Sequence, residues 1–172
     1  LFAPTHNRAK NPDTVITQTL TAFRRAYNRV RKQWLRARPA VQKALRDPSL
    51  SGTQYGSLTT RQNAANITKR DLTVLSLIKS MDQYVAPQNT GFPLFKNFDK
   101  FTAQKLKTSA RKGQMPFNHD FFIVCDDLYR CAAELDTELQ QYLVYLKADL
   151  IAAAPTELRA QKSQKNIQFF DD

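Results

Sequence analysis

The chain has 172 residues, of which 42% are hydrophobic, and its 26 Lys/Arg against 15 Asp/Glu give a formal charge of +11. That length suits one domain able to bury a core without metals or disulfides, and only four glycines and eight prolines favour packed helices over a turn-rich β architecture or a disordered chain. No stretch approaches the roughly 20 uninterrupted apolar residues of a membrane-spanning helix, and no short apolar segment near the start reads as a signal peptide.

The charge is unevenly laid out. Residues 1–117 hold 21 Lys/Arg against 5 Asp/Glu, whereas residues 118–172 hold 5 against 10. Such segregation points the basic part toward an anionic partner, with the acidic helix neutralising some of it internally.

In chain order, residues 1–13, with Pro4 and Pro12, are expected to form an extended arm. Asp13 or Thr14 then caps a helix in which Ile16, Leu20, Phe23, Tyr27, Val30 and Trp34 recur at alternating four and three spacing, one stripe of an α-helix. Pro39 is expected to open a second, short helix through Val41 and Leu45 that stops at Asp47-Pro48. Residues 48–60 read as a loop, in which Gly52 and Gly56 share a membrane packing spacing without its apolar context. A helix from about Thr60 to Val85 follows, with Ile67, Val74, Ile78, Met81 and Val85 inward, Leu75 and Leu77 widening that face, and Pro87 ending it.

After Gly91, a segment with Phe92, Leu94, Phe95, Phe98, Phe101 and Leu106 leads into a shorter helix carrying Lys96, Lys100, Lys105, Lys107, Arg111 and Lys112, with Gly113 as its stop. Its aromatics read first as core. Asn118 caps the longest helix, whose stripe Phe121, Cys125, Leu128, Ala132, Leu135, Leu139, Tyr142 and Leu146 reads as a bundle seam. Pro155 is expected to terminate it, leaving a polar tail over 155–172 that ends in Phe169-Phe170-Asp171-Asp172. The expected fold is therefore all-α: an antiparallel bundle of about four main helices over residues 14–154, with an arm at each end.

Chemistry can be tested by inventory. His6 and His119 are the two histidines and no Cys-x-x-Cys pair occurs, so no metal ligands are assigned. Cys125 and Cys131 lie six apart on one helix, about 9 Å by rise alone, too far to pair with each other. Cys125 belongs to the apolar stripe and reads as a small core residue. The four glycines supply no phosphate-cradling loop, and the carboxylates Asp126, Asp127, Glu134, Asp136 and Glu138 fall mainly outside the stripe, as a solvated or partner-facing surface. Asn66-Ile67-Thr68 matches a glycosylation acceptor by chance, inside a predicted helix. No catalytic residue or cofactor is assigned, and an enzyme is not expected.

The basic stretch is the stronger signal. Arg24, Arg25, Arg29, Arg31, Lys32, Arg36 and Arg38 occur with no acid among them, and with Lys100, Lys105, Lys107, Arg111 and Lys112 they are candidate contacts to an anionic partner or to nucleic acid. Tyr27 and Trp34 fall on the buried stripe, which removes them as a base-stacking platform. The competing reading is a solvated face or a dock for acidic helices. Phe169 and Phe170 are the candidate partner-docking tail.

Leu128-Tyr129-Arg130 resembles the tripeptide of the mitochondrial LYR-motif proteins, small basic helical subunits and assembly factors that bind acyl carrier protein. There the tripeptide opens the first of three helices, whereas here only 42 residues follow it, so the resemblance stops at three residues and the family is not assigned. The resulting expectation is a non-catalytic accessory subunit of a larger multiprotein assembly, in mitochondria or another organelle. A removed targeting peptide is one of several origins of the start at Leu1. The alternative is a nucleic-acid-binding helical protein of ribosomal or nucleoprotein type, using the same basic faces.

Overall fold

The structure, a computed structural model, describes residues 11–59, 67–114 and 119–165. It is mostly helical, with five α-helices and no strand among the described residues. The first helix, α1 (Pro12–Leu45), starts two residues earlier than a cap at Asp13 would allow. Asn11 is the cap: its side chain accepts from the Asp13 amide at 2.9 Å, and Pro12 takes the first helical position, where its missing N–H costs nothing. Much of the expected N-terminal arm lies outside the described residues.

Pro39 does not break α1 into two helices. It removes the hydrogen bond to the Leu35 carbonyl, but Leu35 is 80% exposed and Pro39 is also on the wet side, so water can take that acceptor. The opposite face buries Phe23, Ala26, Tyr27, Val30, Trp34, Ala37, Val41, Ala44 and Leu45 without interruption across the proline. That continuous packing stabilises the single helix more than the lost bond destabilises it.

The segment expected as a loop contains one helical turn, α2 (Gly52–Tyr55), which buries Tyr55 and lets its hydroxyl donate to the Lys100 carbonyl at 3.0 Å. Helix α3 (Lys69–Tyr84) begins nine residues after the expected Thr60, because Thr68 and Asp71 form a reciprocal capping box that satisfies two amides at that point. Residues 60–66, including Asn66 of the acceptor pattern, lie outside the described residues. The inner face of α3 is Val74, Leu77, Ile78, Met81 and Tyr84; Leu75 sits outside it, 47% exposed.

The expected basic helix is much shorter. A 3₁₀ turn (Phe98–Phe101) leads into α4 (Ala103–Thr108), which ends at Ser109, so Lys96 precedes it and Arg111, Lys112 and Gly113 follow it. Thr102 caps α4 by accepting from the Lys105 amide at 3.1 Å, so three-residue spacing, not the run of lysines, sets its start. Finally α5 (Asp120–Lys165) runs for 46 residues and passes through Pro155, again on an exposed side, which it shares with the 73% exposed Ile151 to whose carbonyl it supplies no donor. The expected cap Asn118 lies outside the described residues; His119 Nδ1 accepts from the Phe121 amide at 3.1 Å.

Helix α1 is the hub, and both long neighbours run antiparallel to it. Toward α5, Asp13 meets Tyr142, Arg29 meets Asp127 and Trp34 meets Phe121, so one series of numbers rises as the other falls. Toward α3, Tyr27 meets Tyr84, Arg38 meets Asp82 and Arg46 meets Asp71. The aromatic run beginning at Phe92 fills the end of the core between them: Phe95, Phe98 and Phe101 pack on one another at centroid separations of 5.4 to 6.4 Å, against Tyr84 and Trp34.

Candidate interaction interface

The two halves of the basic stretch have different fates. Arg38 forks onto Asp82, with Nε to Oδ1 at 3.0 Å and Nη2 to Oδ2 at 2.9 Å, while the Trp34 indole donates to the same Oδ1 at 2.7 Å. These bonds, that from Arg38 foremost, hold the Asp82 carboxyl below the ordinary carboxylate range. Arg38 is thereby committed to joining α1 to α3. Trp34 at 1% exposure and buried Tyr27, whose hydroxyl donates to the Tyr84 and Asn89 carbonyls, are core residues, as the stripe predicts.

Arg25, Arg29, Lys32 and Arg36, spaced four, three and four, share one exposed stripe of α1. Three of them, with Asn28, line a groove whose far wall is Arg130 and Cys131 of α5. Asp127 lies at its edge and bridges the walls, 3.0 Å from Arg29 and 3.6 Å from Arg130, which also reaches Glu134 at 2.8 Å. The predicted neutralisation of basic residues by the acidic helix is realised here, though for only part of the stripe. Arg24 and Arg31 point around the helix from it.

The second basic group does not join this groove. Lys100 stands 5.9 Å over the Tyr55 ring, Lys105 pairs with Asp99 at 3.4 Å, and Lys107, Arg111 and Lys112 are exposed. Lys105 and Arg111 instead share a shallow polar concavity with Ser51, Thr53 and Thr108. Phe169 and Phe170 lie outside the described residues.

Arg70 is a cation that contributes nothing to the basic surface. It occupies the inner face of α3 four residues before Val74 and is 0% exposed. Its guanidinium donates to three carbonyls of the preceding segment: Gly56 at 3.0 Å, Leu50 at 2.7 Å, and Asp47. Burial pulls its pKa below that of an ordinary guanidinium, Arg111 adding to the effect and Asp47 opposing it. Its position in the apolar register was the available signal.

The other feature the sequence reading misplaced is the end of the α5 stripe. Phe121, Cys125, Leu128, Ala132 and Leu135 are buried and Leu139 partly so, but Leu146 is exposed. Helix α1 begins at Pro12, opposite Tyr142, whose hydroxyl donates to Asp13 at 2.6 Å. Past that level Leu143, Val144, Tyr145, Leu146, Leu150, Ile151 and Leu158 are exposed, Leu150 by 68% and Ile151 by 73%. The mismatch between a 34-residue and a 46-residue helix leaves an α5 extension that, past the hollow Tyr145 shares with Pro12 and Val15 of α1, has no neighbour among the described residues.

Burial, and secondarily Asp126, pushes the Cys125 thiol well above its ordinary pKa, and burial raises that of Cys131, so both stay protonated; neither forms a disulfide. Among the described residues no group of three or more His, Cys, Asp or Glu could hold a metal ion, and no helix is long and apolar enough to cross a membrane. The Leu128-Tyr129-Arg130 tripeptide sits inside α5, not at a helix start. Compared with known proteins, the chain matches no family model, no curated protein and no solved structure.

Proposed function

We propose that this chain is a non-catalytic accessory subunit of a larger multiprotein assembly, built as an antiparallel helical bundle that docks on neighbouring chains. The observation that carries the reading is the α5 extension. A helix of this kind, with Leu143, Val144, Leu146, Leu150, Ile151 and Leu158 exposed among the described residues, gains nothing from that exposure and is marginal without tertiary contacts. A neighbouring subunit covering Leu143 to Leu158 would supply those contacts, and the basic stripe of α1 would give that association an electrostatic bias toward acidic surfaces.

The test is isolation of the tagged chain from its native source in mild salt, with mass spectrometry of the co-purifying chains before and after nuclease. A fixed set that survives nuclease and is lost in a Leu150→Asp/Ile151→Asp variant is expected. A set that disappears with the nucleic acid, and is indifferent to that variant, refutes the reading.

The groove between α1 and α5 favours a second reading, that of a nucleic-acid-binding protein. Arg25, Arg29, Lys32 and Arg130 on its two walls are suited to neutralising consecutive phosphates. With three or four phosphates neutralised, the affinity should fall with salt at a logarithmic slope of roughly −3. Binding that ignores salt excludes it.

A further inference from the structure

We infer that the α5 extension pairs with the same segment of a second copy of this chain, antiparallel and two-fold symmetric, crossing near Ala152. This rests on the reading of the extension as a docking surface and names its occupant.

Three observations select a second copy. The first is charge. The chain carries +11, yet the span 143–161 that pairs about residue 152 holds Lys147 and Arg159 against Asp149 and Glu157 and is neutral, with Lys162 and Lys165 following it at the end of α5. It is the part of the surface on which two copies can meet with the least repulsion. The second is placement. The packed body lies at one end of α5, and the helix reaches about 39 Å beyond residue 139, to Lys165, at 1.5 Å per residue. An antiparallel pair puts the two basic bodies at opposite ends, whereas a parallel pair would set them side by side.

The third is register. Leu143, Leu146, Leu150, Ala154 and Leu158, spaced three, four, four and four, lie on one face of the helix that continues the buried stripe of Leu128, Ala132 and Leu135. With the two-fold axis at residue 152, Leu146 faces Leu158 of the copy, Leu150 faces Ala154, and Lys147 faces Glu157, each contact occurring twice. Leu150 meets the small Ala154 at the crossing, and Lys147, four residues after Leu143, and Glu157, three after Ala154, lie on the same face, so opposite charges meet within the seam. Neither Lys147 nor Asp149 forms an ion pair among the described residues. Pro155 lies on the other side of the helix, so its ring does not obstruct the pairing.

The experiment is sedimentation equilibrium of the full chain, with circular dichroism to establish that each variant keeps its helices. The wild type is expected to be a dimer at tens of micromolar. L146D/L158D, at exposed positions, is expected to fold and to be monomeric, its dissociation constant raised by at least about a hundredfold. K147E alone opposes like charges twice and is expected to weaken the dimer about tenfold, and adding E157K to restore it. A monomeric wild type overturns the inference, as does a dimer indifferent to L146D/L158D or a K147E defect that E157K fails to repair. If the wild type is monomeric but L146D/L158D loses nuclease-resistant co-purifying chains, self-pairing falls and the docking reading stands. If the variant keeps them, both fall.

Discussion

Arg70 shows how one residue can set a local fold. A buried guanidinium is tolerated only when its donors are met, and here three backbone carbonyls meet them, fixing the course of residues 47–56 against α3. Arg70→Met would leave those carbonyls buried without partners. The expected loss is about 3–5 kcal/mol, read as a fall in the urea midpoint at unchanged m-value. Gly56 belongs to the same arrangement: its φ of 89° and the Arg70 backbone 2.7 Å from any added Cβ exclude a side chain there, a role its spacing from Gly52 does not disclose. The Asp82 carboxylate makes a prediction with a sign. Its folded pKa is depressed by Arg38 and Trp34, so its contribution is present above the unfolded value near 4 and is lost as pH falls through the lower folded value. Acid unfolding should therefore weaken in its pH dependence below about pH 4 in Asp82→Asn, which at neutral pH should cost about 1 kcal/mol.

At the scale of elements, apolar periodicity was sufficient to place α1, α3 and α5, and insufficient to end them. The stripe from Phe23 to Trp34 and that from Phe121 to Leu135 are buried as spaced, because a continuous apolar face is what a core requires. The ends differ for another reason: Pro39 and Pro155 read as breaks in isolation, but each lies on an exposed side where water can reach the carbonyl left without its donor. Whether a proline faces water is a tertiary fact. So is the length of α5 that has a neighbour, which depends on where α1 starts. The α5 stripe should accordingly divide in two under mutation. Leu135→Ala is expected to cost about 2–5 kcal/mol, whereas Leu150→Ala is expected to stay within about 0.5 kcal/mol in the monomer, both by chemical denaturation at low protein concentration.

At the scale of the whole molecule, the charge asymmetry was legible from composition, and its use was not. The contiguous run Arg24 to Arg38 separates in the fold into Arg38, spent on Asp82, Arg24 and Arg31, which point around the helix, and the stripe from Arg25 to Arg36, of which Arg25, Arg29 and Lys32 form one wall of the groove opposite Arg130. Helical periodicity could have made that division, since Arg25, Arg29, Lys32 and Arg36 share a face that Arg38 does not. The partner of Arg38 lies 44 residues away and could not have been read. Reversing charge at Arg25, Lys32 and Arg36 should therefore abolish any salt-sensitive association while leaving the thermal transition within a few degrees of wild type, whereas Arg38→Ala should do the opposite.

The central claim is that residues 143–158 of α5 are an occupied surface in the working protein. Amide hydrogen exchange addresses it directly, comparing the isolated chain at sub-micromolar concentration with the assembly purified from its native source. Exchange in that segment is expected to be fast in the dilute chain, near the rate of a fraying helix, and strongly slowed in the assembly, while the amides of Phe121 to Leu135 are slow in both. A segment that exchanges equally fast in both states would contradict the account.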